Sequence, residues 1–344
     1  MTSAIRPLLG ITSGDPAGIG PEITVKALQQ PEVHAHCRPL VIGDAGVMRQ
    51  IAATIDRDLI IHVVSDPRNG RYERGTIDVL DLGNVDPAKF RYNTVAAMTG
   101  QASFDYVVKA IELAMAGQID ATVTGPIHKE ALRAAGQNFA GHTEIYAHYT
   151  RTRDYTMMLA EGGFRVVHVS THVALAEAIR RVTTERVLKV IHLAHDALRQ
   201  MAIEAPRIAV AGLNPHAGEN GLFGREEIDH IMPAIAAAQA AGIDATGPFP
   251  PDTIFPKMKG GQFDVVVCMY HDQGHIPTKL LGFDYDHASG EWKSMAGVNI
   301  TLGLPIIRVS VDHGVAFDRA GQGTANPGSM IEAISYATRL AQQS

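Results

Sequence analysis

Scarcity excludes much before any motif is read. Only two cysteines occur, Cys37 and Cys268, far apart and in no CxxC pair. Neither a disulfide framework nor a thiolate zinc site is indicated, and any metal falls to nitrogen and oxygen ligands. Positive charge is not in excess: 30 Lys and Arg stand against 36 Asp and Glu, a formal charge of −6. That balance supplies no general field for nucleic acid and leaves room only for a small anion in a local basic pocket. No stretch approaches the ~18 consecutive apolar residues of a membrane span, and the start from Met1 to the Gly14-Asp15-Pro16 turn lacks a charged, apolar, cleavable series. A cytoplasmic protein with no membrane partner is expected. Neither a Pro/Ser-rich linker nor an internal repeat interrupts the 344 residues. What remains is an ordinary globular composition, 46% hydrophobic and 19% charged, with length for about two domains.

Short β-rich runs recur at Leu8–Thr12, Leu40–Gly43, Ile60–Val64, Ala121–Thr124, Val166–Ser170, Ile208–Gly212, Val265–Met269 and Ile306–Ser310. Most are continuously apolar, as suits strands covered on both faces. Between them Gln101–Ala116, Thr184–Gln200 and Arg225–Ala241 repeat apolar residues at three and four, which predicts helices. The pattern is α/β with a largely parallel sheet. Two interleaved α/β subdomains that share a sheet or abut across a cleft are expected, residues 1–344 forming a single catalytic unit without a clean sequence boundary. In such folds chemistry gathers at the carboxyl ends of strands. The loop Ser13-Gly14-Asp15-Pro16-Ala17-Gly18-Ile19-Gly20-Pro21-Glu22 follows the first strand and opens a helix expected at Ile23. It matches neither G-x-G-x-x-G nor the phosphate loop ending in Gly-Lys-Ser/Thr, and it is as readily a tight turn.

Sixteen histidines are too many to be informative singly. Three follow expected strands directly: His172, His216 in Asn214-Pro215-His216, and His271 in Tyr270-His271-Asp272-Gln273-Gly274. Each alone is more simply a strand cap, but parallel strands can bring all three to one edge. Imidazoles with an open position suit Zn, Co, Ni or Fe acting as a Lewis acid. Asp272 is then a further ligand or the carboxylate that orients a ligating ring. His128, His148, His168, His192, His195 and His230 fall inside expected helices or strands and are set aside as structural or exposed. A second group is cationic and polar: Lys279, Asn299, and Arg308 within an apolar strand. A desolvated guanidinium needs a substrate phosphate or carboxylate, or an internal ion pair. Gly141-His142-Thr143-Glu144 adds a helix start.

Gly14-Asp15-Pro16-Ala17-Gly18-Ile19-Gly20-Pro21-Glu22, Thr124-Gly125-Pro126 with Lys129, Gly141-His142-Thr143-Glu144, Asn214-Pro215-His216-Ala217-Gly218-Glu219, Tyr270-His271-Asp272-Gln273-Gly274 and Gly297-Val298-Asn299-Ile300-Thr301-Leu302-Gly303-Leu304-Pro305 occur in that order. Together they resemble the 4-hydroxythreonine-4-phosphate dehydrogenase family over nearly the whole chain. The resemblance implies an isopropylmalate-dehydrogenase-like fold, two α/β subdomains around a cleft, and a homodimer with its site at the subunit interface. It also implies one divalent metal (Zn, Co or Mg) and NAD or NADP. Carried over motif by motif, metal ligands fall on His172, His216 and His271, and substrate contacts on His142, Thr143, Lys279, Asn299 and Arg308. The stretch from His313 to Pro327 resembles the adenosine-side cofactor loop of isopropylmalate and isocitrate dehydrogenases, which makes His313, Gly314, Asp318 and Asn326 the cofactor candidates.

Between Lys279 and Gly297 the chain runs longer than the biosynthetic enzymes of that family. With His275-Ile276-Pro277, this loop resembles the catabolic subgroup acting on D-threonate or D-erythronate 4-phosphate. An aromatic dihydrodiol dehydrogenase branch fits less well, because Asn-Ile-Thr-Leu-Gly is retained. The implied substrate is a four-carbon acid with a C3 hydroxyl, a C4 phosphate and an amine or hydroxyl at C2. Oxidation at C3 followed by decarboxylation gives 3-amino-2-oxopropyl phosphate or dihydroxyacetone phosphate, with Lys279 or Asp272 as proton carrier. Competing readings are an acyl-phosphate acyltransferase of related fold and a non-catalytic phosphometabolite-binding protein.

Overall fold

The structure is a computed structural model that describes residues 6–286, 291–295 and 297–343. The chain forms two compact units, the first made of residues Met1–Arg153 with Leu304–Gln342 and the second of Asp154–Gly303. The first unit contains β1 (Leu8–Thr12), α1 (Gly20–Leu28), α2 (Pro31–His36), β2 (Arg38–Gly43), α3 (Ala45–Ile55), β3 (Ile60–Val64), β4 (Thr76–Asp81), α4 (Ala97–Met115), β5 (Ala121–Thr124), α5 (Lys129–Ala134) and α6 (His142–Tyr149). The second contains β6 (Thr156–Glu161), β7 (Phe164–His168), α7 (Leu175–Arg180), α8 (Thr184–Gln200), β8 (Ile208–Ala211), α9 (Met232–Ala240), β9 (Ala245–Phe249), α10 (Pro251–Lys259), β10 (Val265–Cys268), α11 (His271–Gly282), β11 (Phe283–Asp286), β12 (Glu291–Met295) and β13 (Val298–Leu302). The chain then returns to the first unit with β14 (Arg308–Val311) and α12 (Gly328–Gln343).

In the first unit the strands run in the order β3-β4-β2-β1-β5-β14, all parallel. In the second the order is β13-β6-β7-β10-β8-β9, with β13–β6 and β6–β7 antiparallel and the remainder parallel. The α/β class with a largely parallel sheet is therefore what the apolar runs predict: β1, β5, β8 and β10 are buried along their whole length. The first unit closes its core with Leu40, Ile42, Val47, Tyr106 and Ala110, the second with Leu159, Val166, Ala209, Ile254 and Val266. Both cysteines are buried free thiols, and burial pushes Cys37 up to about 11.

Several expectations shift. The first helix begins at Gly20 rather than Ile23, because Pro21 lies in the first turn, where its missing N–H breaks no intrahelical bond. The Arg225–Ala241 helix is divided: Glu227–Ile231 is a π-helical turn ahead of α9, next to Pro233, which cannot donate to the preceding turn. Arg308 is the first residue of β14 rather than inside a strand beginning at Ile306. His128 is not inside an element but caps α5, its Nδ1 accepting the Ala131 N–H at 3.3 Å. Besides β11 and β12, four strands lie outside the expected runs. β4 holds the buried Asp78, which accepts the Arg71 and Tyr72 N–H groups and bonds His62, β9 and β13 are interrupted by Gly-Pro and Asn, and β6 is a buried apolar run, Met157 to Ala160, that the sequence reading did not pick out. The departing loop after Lys279 pairs β11 with β12 as an antiparallel ribbon; its residues 287–290 lie outside the described residues.

Candidate functional site

Parallel strands send their following loops to the same sheet edge, and in the first unit these loops meet. Asp15 N–H donates to Pro126 O at 2.8 Å and Ile19 N–H to Val315 O at 2.9 Å, joining the segments after β1, β5 and β14. The approach is close: a Cβ on Gly14, whose φ is +73°, would stand 2.4 Å from Pro126 O. Asp15 is wholly buried and accepts Ala17 N–H at 2.9 Å, and burial raises its pKa.

Arg308 is 2% exposed. One terminal nitrogen donates to Thr124 Oγ1 at 2.9 Å, and the guanidinium lies 5.7 Å from the centroid of the Tyr146 ring. Burial lowers its pKa to about 10, with Tyr146 and Glu144 opposing. Beside it stands His142, the first residue of α6, followed by Thr143. His142 is held well below its ordinary pKa by burial and by the Arg308 charge, so it is neutral at physiological pH. Its Nε2 is buried without a hydrogen-bond partner. A desolvated cation beside an unmatched imidazole nitrogen is a favourable environment for an anion that accepts hydrogen bonds.

The loop from His313 to Pro327 is held from beneath by α1. Glu22, wholly buried, accepts Ala325 N–H at 2.6 Å and Gly323 N–H at 3.1 Å. Lys26 pairs with Glu22 at 3.1 Å and donates to the carbonyls of Gly323 and Ala325, both at 2.7 Å. Of the cofactor candidates, Gly314 and Asp318 are exposed, and His313 donates from Nδ1 to Gly314 O at 2.9 Å. Asn326 accepts Gly328 N–H at 2.8 Å and so opens α12. The backbone of this loop is fixed from beneath, and Gly314 and Asp318 face outward. Neither Glu22 nor Lys26 was singled out in the sequence, although Glu22 closes its first motif.

In the second unit, β7, β10 and β8 are parallel neighbours, and the segments after them carry His172, His271 and His216. The His172 and His271 rings lie 5.7 Å apart between centroids, a separation open to two imidazoles bound to one ion at ~2.1 Å. His271 Nδ1 lies 2.6 Å from Asp272 Oδ1. An ionised carboxylate can only accept, so Nδ1 carries the proton and Nε2 keeps its lone pair. His216 does not join them. Its ring faces Phe223 at 6.4 Å, its Nδ1 stands 4.0 Å from Glu219, and among the described residues no three His, Cys, Asp or Glu are placed to hold a metal ion.

Two further histidines stand beside this pair: His168, set aside in the sequence, and His275, noted there only with the loop after Lys279. His275, one turn after His271 on α11, stacks on it at 3.5 Å with an interplanar angle of 11°, and His168 packs 4.7 Å from His275. Burial, together with the neighbouring imidazoles, holds His168 at about 4 and His275 at about 2. Lys279 is within electrostatic reach of His275, and its Nζ lies 5.4 Å from the Phe283 ring centroid. Asn299 on β13 turns its Nδ2 to Met157 Sδ, and its Oδ1 is buried without a partner.

His216 begins an unusual segment. His216, Ala217, Glu219 and Asn220 have φ of 52°, 54°, 41° and 54°, with Gly218 at 80° between them. A left-handed backbone costs about 1 kcal/mol or more at each non-glycine residue, so something must hold it. The buried Glu227 accepts the N–H groups of Leu213 and Asn214, both at 2.8 Å, and the Asn214 side-chain amide at 2.9 Å. Gln273 donates to Gly212 O at 2.8 Å and accepts Met269 N–H at 2.7 Å, tying the same loop to the end of β10.

Comparison with known proteins bears on what these two constellations serve. Residues 35–337 match the family described as pyridoxal phosphate biosynthetic protein PdxA. The D-threonate 4-phosphate dehydrogenase of Cupriavidus necator is 46% identical over 97% of this chain and 97% of its own. The 4-hydroxythreonine-4-phosphate dehydrogenase of Desulforapulum autotrophicum is 47% identical over 96% of this chain and 95% of its own. The crystal structure of 4-hydroxythreonine-4-phosphate dehydrogenase from Klebsiella pneumoniae superposes with a TM-score of 0.85 at 43% identity, covering 98% of this chain and all of that one. Fold and relatives define a dehydrogenase class, oxidoreductases acting on CH–OH groups. Within it, the chain belongs to the PdxA family.

Proposed function

We propose that this protein oxidises the C3 hydroxyl of a 4-phosphorylated four-carbon hydroxy acid with NAD or NADP and releases CO2. The favoured substrates are D-threonate or D-erythronate 4-phosphate, giving dihydroxyacetone phosphate; 4-phosphohydroxy-L-threonine, giving 3-amino-2-oxopropyl phosphate, is the alternative. The observation that carries the reading is the buried Arg308 guanidinium beside the neutral, unmatched Nε2 of His142. A phosphate oxygen would take both as donors, with Thr143 in the same helical turn. The C2 hydroxyl is favoured by the longer loop after Lys279 and by the name of the Cupriavidus necator relative.

In the second unit the His271 Nδ1–Asp272 contact supports Asp272 as the orienting group and Lys279 as the proton carrier. Asn299 offers its unmatched Oδ1 to a substrate donor. His172 and His271 would hold a divalent ion (Zn, Co or Mg); His216, the third ligand that the family resemblance implies, stands apart from them in this structure. Such an ion, when bound, lowers the pKa of a hydroxyl and stabilises an enolate. His313, Gly314, Asp318 and Asn326 would receive the cofactor, and a homodimer is part of the same reading. Nicotinamide absorbance with 4-phosphohydroxy-L-threonine, D-threonate 4-phosphate and D-erythronate 4-phosphate, each with NAD and NADP before and after chelation, tests it. Metal-dependent reduction with a C2-hydroxyl acid is expected; no reduction with any of the three rejects the proposal.

A further inference from the structure

We infer that Glu227 is a positioning residue: its buried carboxylate clamps the backbone after β8 and so holds the left-handed segment that presents His216. The inference deepens the proposed function and rests on it for the role of His216, but the clamp itself is a statement about the chain alone.

Four observations converge. Glu227 is 2% exposed, so its carboxyl oxygens must find their hydrogen bonds within the protein. Both of its oxygens are committed to one loop: Oε1 to the consecutive N–H groups of Leu213 and Asn214, Oε2 to the Asn214 side chain. The fit is close, because a Cβ on Gly212 would stand 3.1 Å from Oε1 and one on Gly218 only 2.7 Å from Oε2. Finally, the carboxylate is borne on the π-helical turn Glu227–Ile231, an irregularity common where a helix has been adjusted to a functional loop. Glu226 adds a second acceptor to Asn214 Nδ2 at 2.8 Å. Gln273 secures the other side of the loop at Gly212 and links it to Met269, two residues before His271. The segments bearing His216 and His271 thus share one hydrogen-bonded frame. A rigid frame matters because His216 is itself largely exposed, its side chain 62% accessible, and packing does not fix it.

Hydrogen exchange and steady-state kinetics on Glu227→Ala, Glu227→Gln and His216→Ala, all in the full-length protein, test this. In Glu227→Ala the amides of residues 213–221 should exchange about 100-fold faster while those of β8 and β10 do not change, and kcat should fall on the order of 100-fold with KM altered less than about threefold. Glu227→Gln keeps an acceptor for the two backbone N–H groups but sets an amide against Asn214 Nδ2, so both effects should shrink to about tenfold. This variant carries the test should the alanine form not fold. Unchanged exchange at 213–221 in either variant overturns the clamp, and a loosened loop with unaltered kcat overturns its positioning role. His216→Ala should abolish turnover while Leu213 and Asn214 stay protected. Turnover retained in that variant counts against the functional reading of His216, and the exchange result still decides the clamp.

Discussion

The two units solve the same problem in opposite electrical styles. Each gathers its loops at the carboxyl edge of parallel strands, and each fixes one loop with a buried glutamate, Glu22 in the first and Glu227 in the second. The first surrounds its site with charge: a Glu22–Lys26 pair under the 323–325 backbone and a desolvated Arg308 beside His142. The second binds its glutamate through neutral amide donors, the N–H groups of Leu213 and Asn214 and the Asn214 side chain, and assembles imidazoles, of which burial keeps His168 and His275 neutral. A buried cation selects an anion, and neutral imidazoles offer lone pairs. The first unit therefore holds a setting for an anion, and the second a set of nitrogen lone pairs.

The largest expected effect is on anchoring. Arg308→Met should cut kcat/KM for the phosphorylated acid by about 10³-fold while the thermal transition is retained, because a buried charged donor is removed from its acceptor. A loss below tenfold would erase the division of labour. Next is the charged clamp. Glu22→Gln leaves Lys26 partly buried without its carboxylate and should lower the free energy of unfolding by about 3 kcal/mol in urea titration, with weaker NAD(P) binding. Asp272→Asn, in the second unit, should leave stability nearly unaltered and lower kcat by about 10- to 100-fold, since the His271 tautomer is no longer imposed.

How much of this was legible in the sequence depends on the distance between partners. The apolar runs of β1, β5, β8 and β10 announce themselves, and strand ends alone bring out His172 and His271. β4 is hidden because Asp78 interrupts it, and that carboxylate is buried only because it collects N–H groups from the preceding turn. Glu22 looks like any helix-start carboxylate; its partners Gly323 and Ala325 lie 301 and 303 residues on. Glu227 reads as a solvated charge for the same reason, and nothing local foretells five consecutive left-handed residues from His216. His168 was set aside as structural, and His275 drew notice only with the loop after Lys279, yet both pack against His271. The residues proposed to contact ligand stand out in the sequence by their local setting, whereas Glu22 and Glu227, which hold the loops, are defined only by the fold.

The smallest expected effect is on pH. His142 is depressed below the ordinary value of 6.5, so between that value and its folded pKa the unfolded chain binds a proton that the folded one refuses. Its contribution to stability is complete above about pH 7 and declines as pH falls below 6.5. Urea unfolding at pH 7.5 and 5.5 should show a loss about 1 kcal/mol larger in the unsubstituted protein than in His142→Gln. An equal loss in both would place His142 in a solvated rather than a desolvated setting.

The most direct measurement compares D-threonate 4-phosphate with D-threonate itself, following nicotinamide reduction at saturating cofactor. A preference for the phosphorylated acid of about 10³-fold or more in kcat/KM is the predicted result. Equal rates with the two acids would mean that the buried cation of the first unit anchors no phosphate.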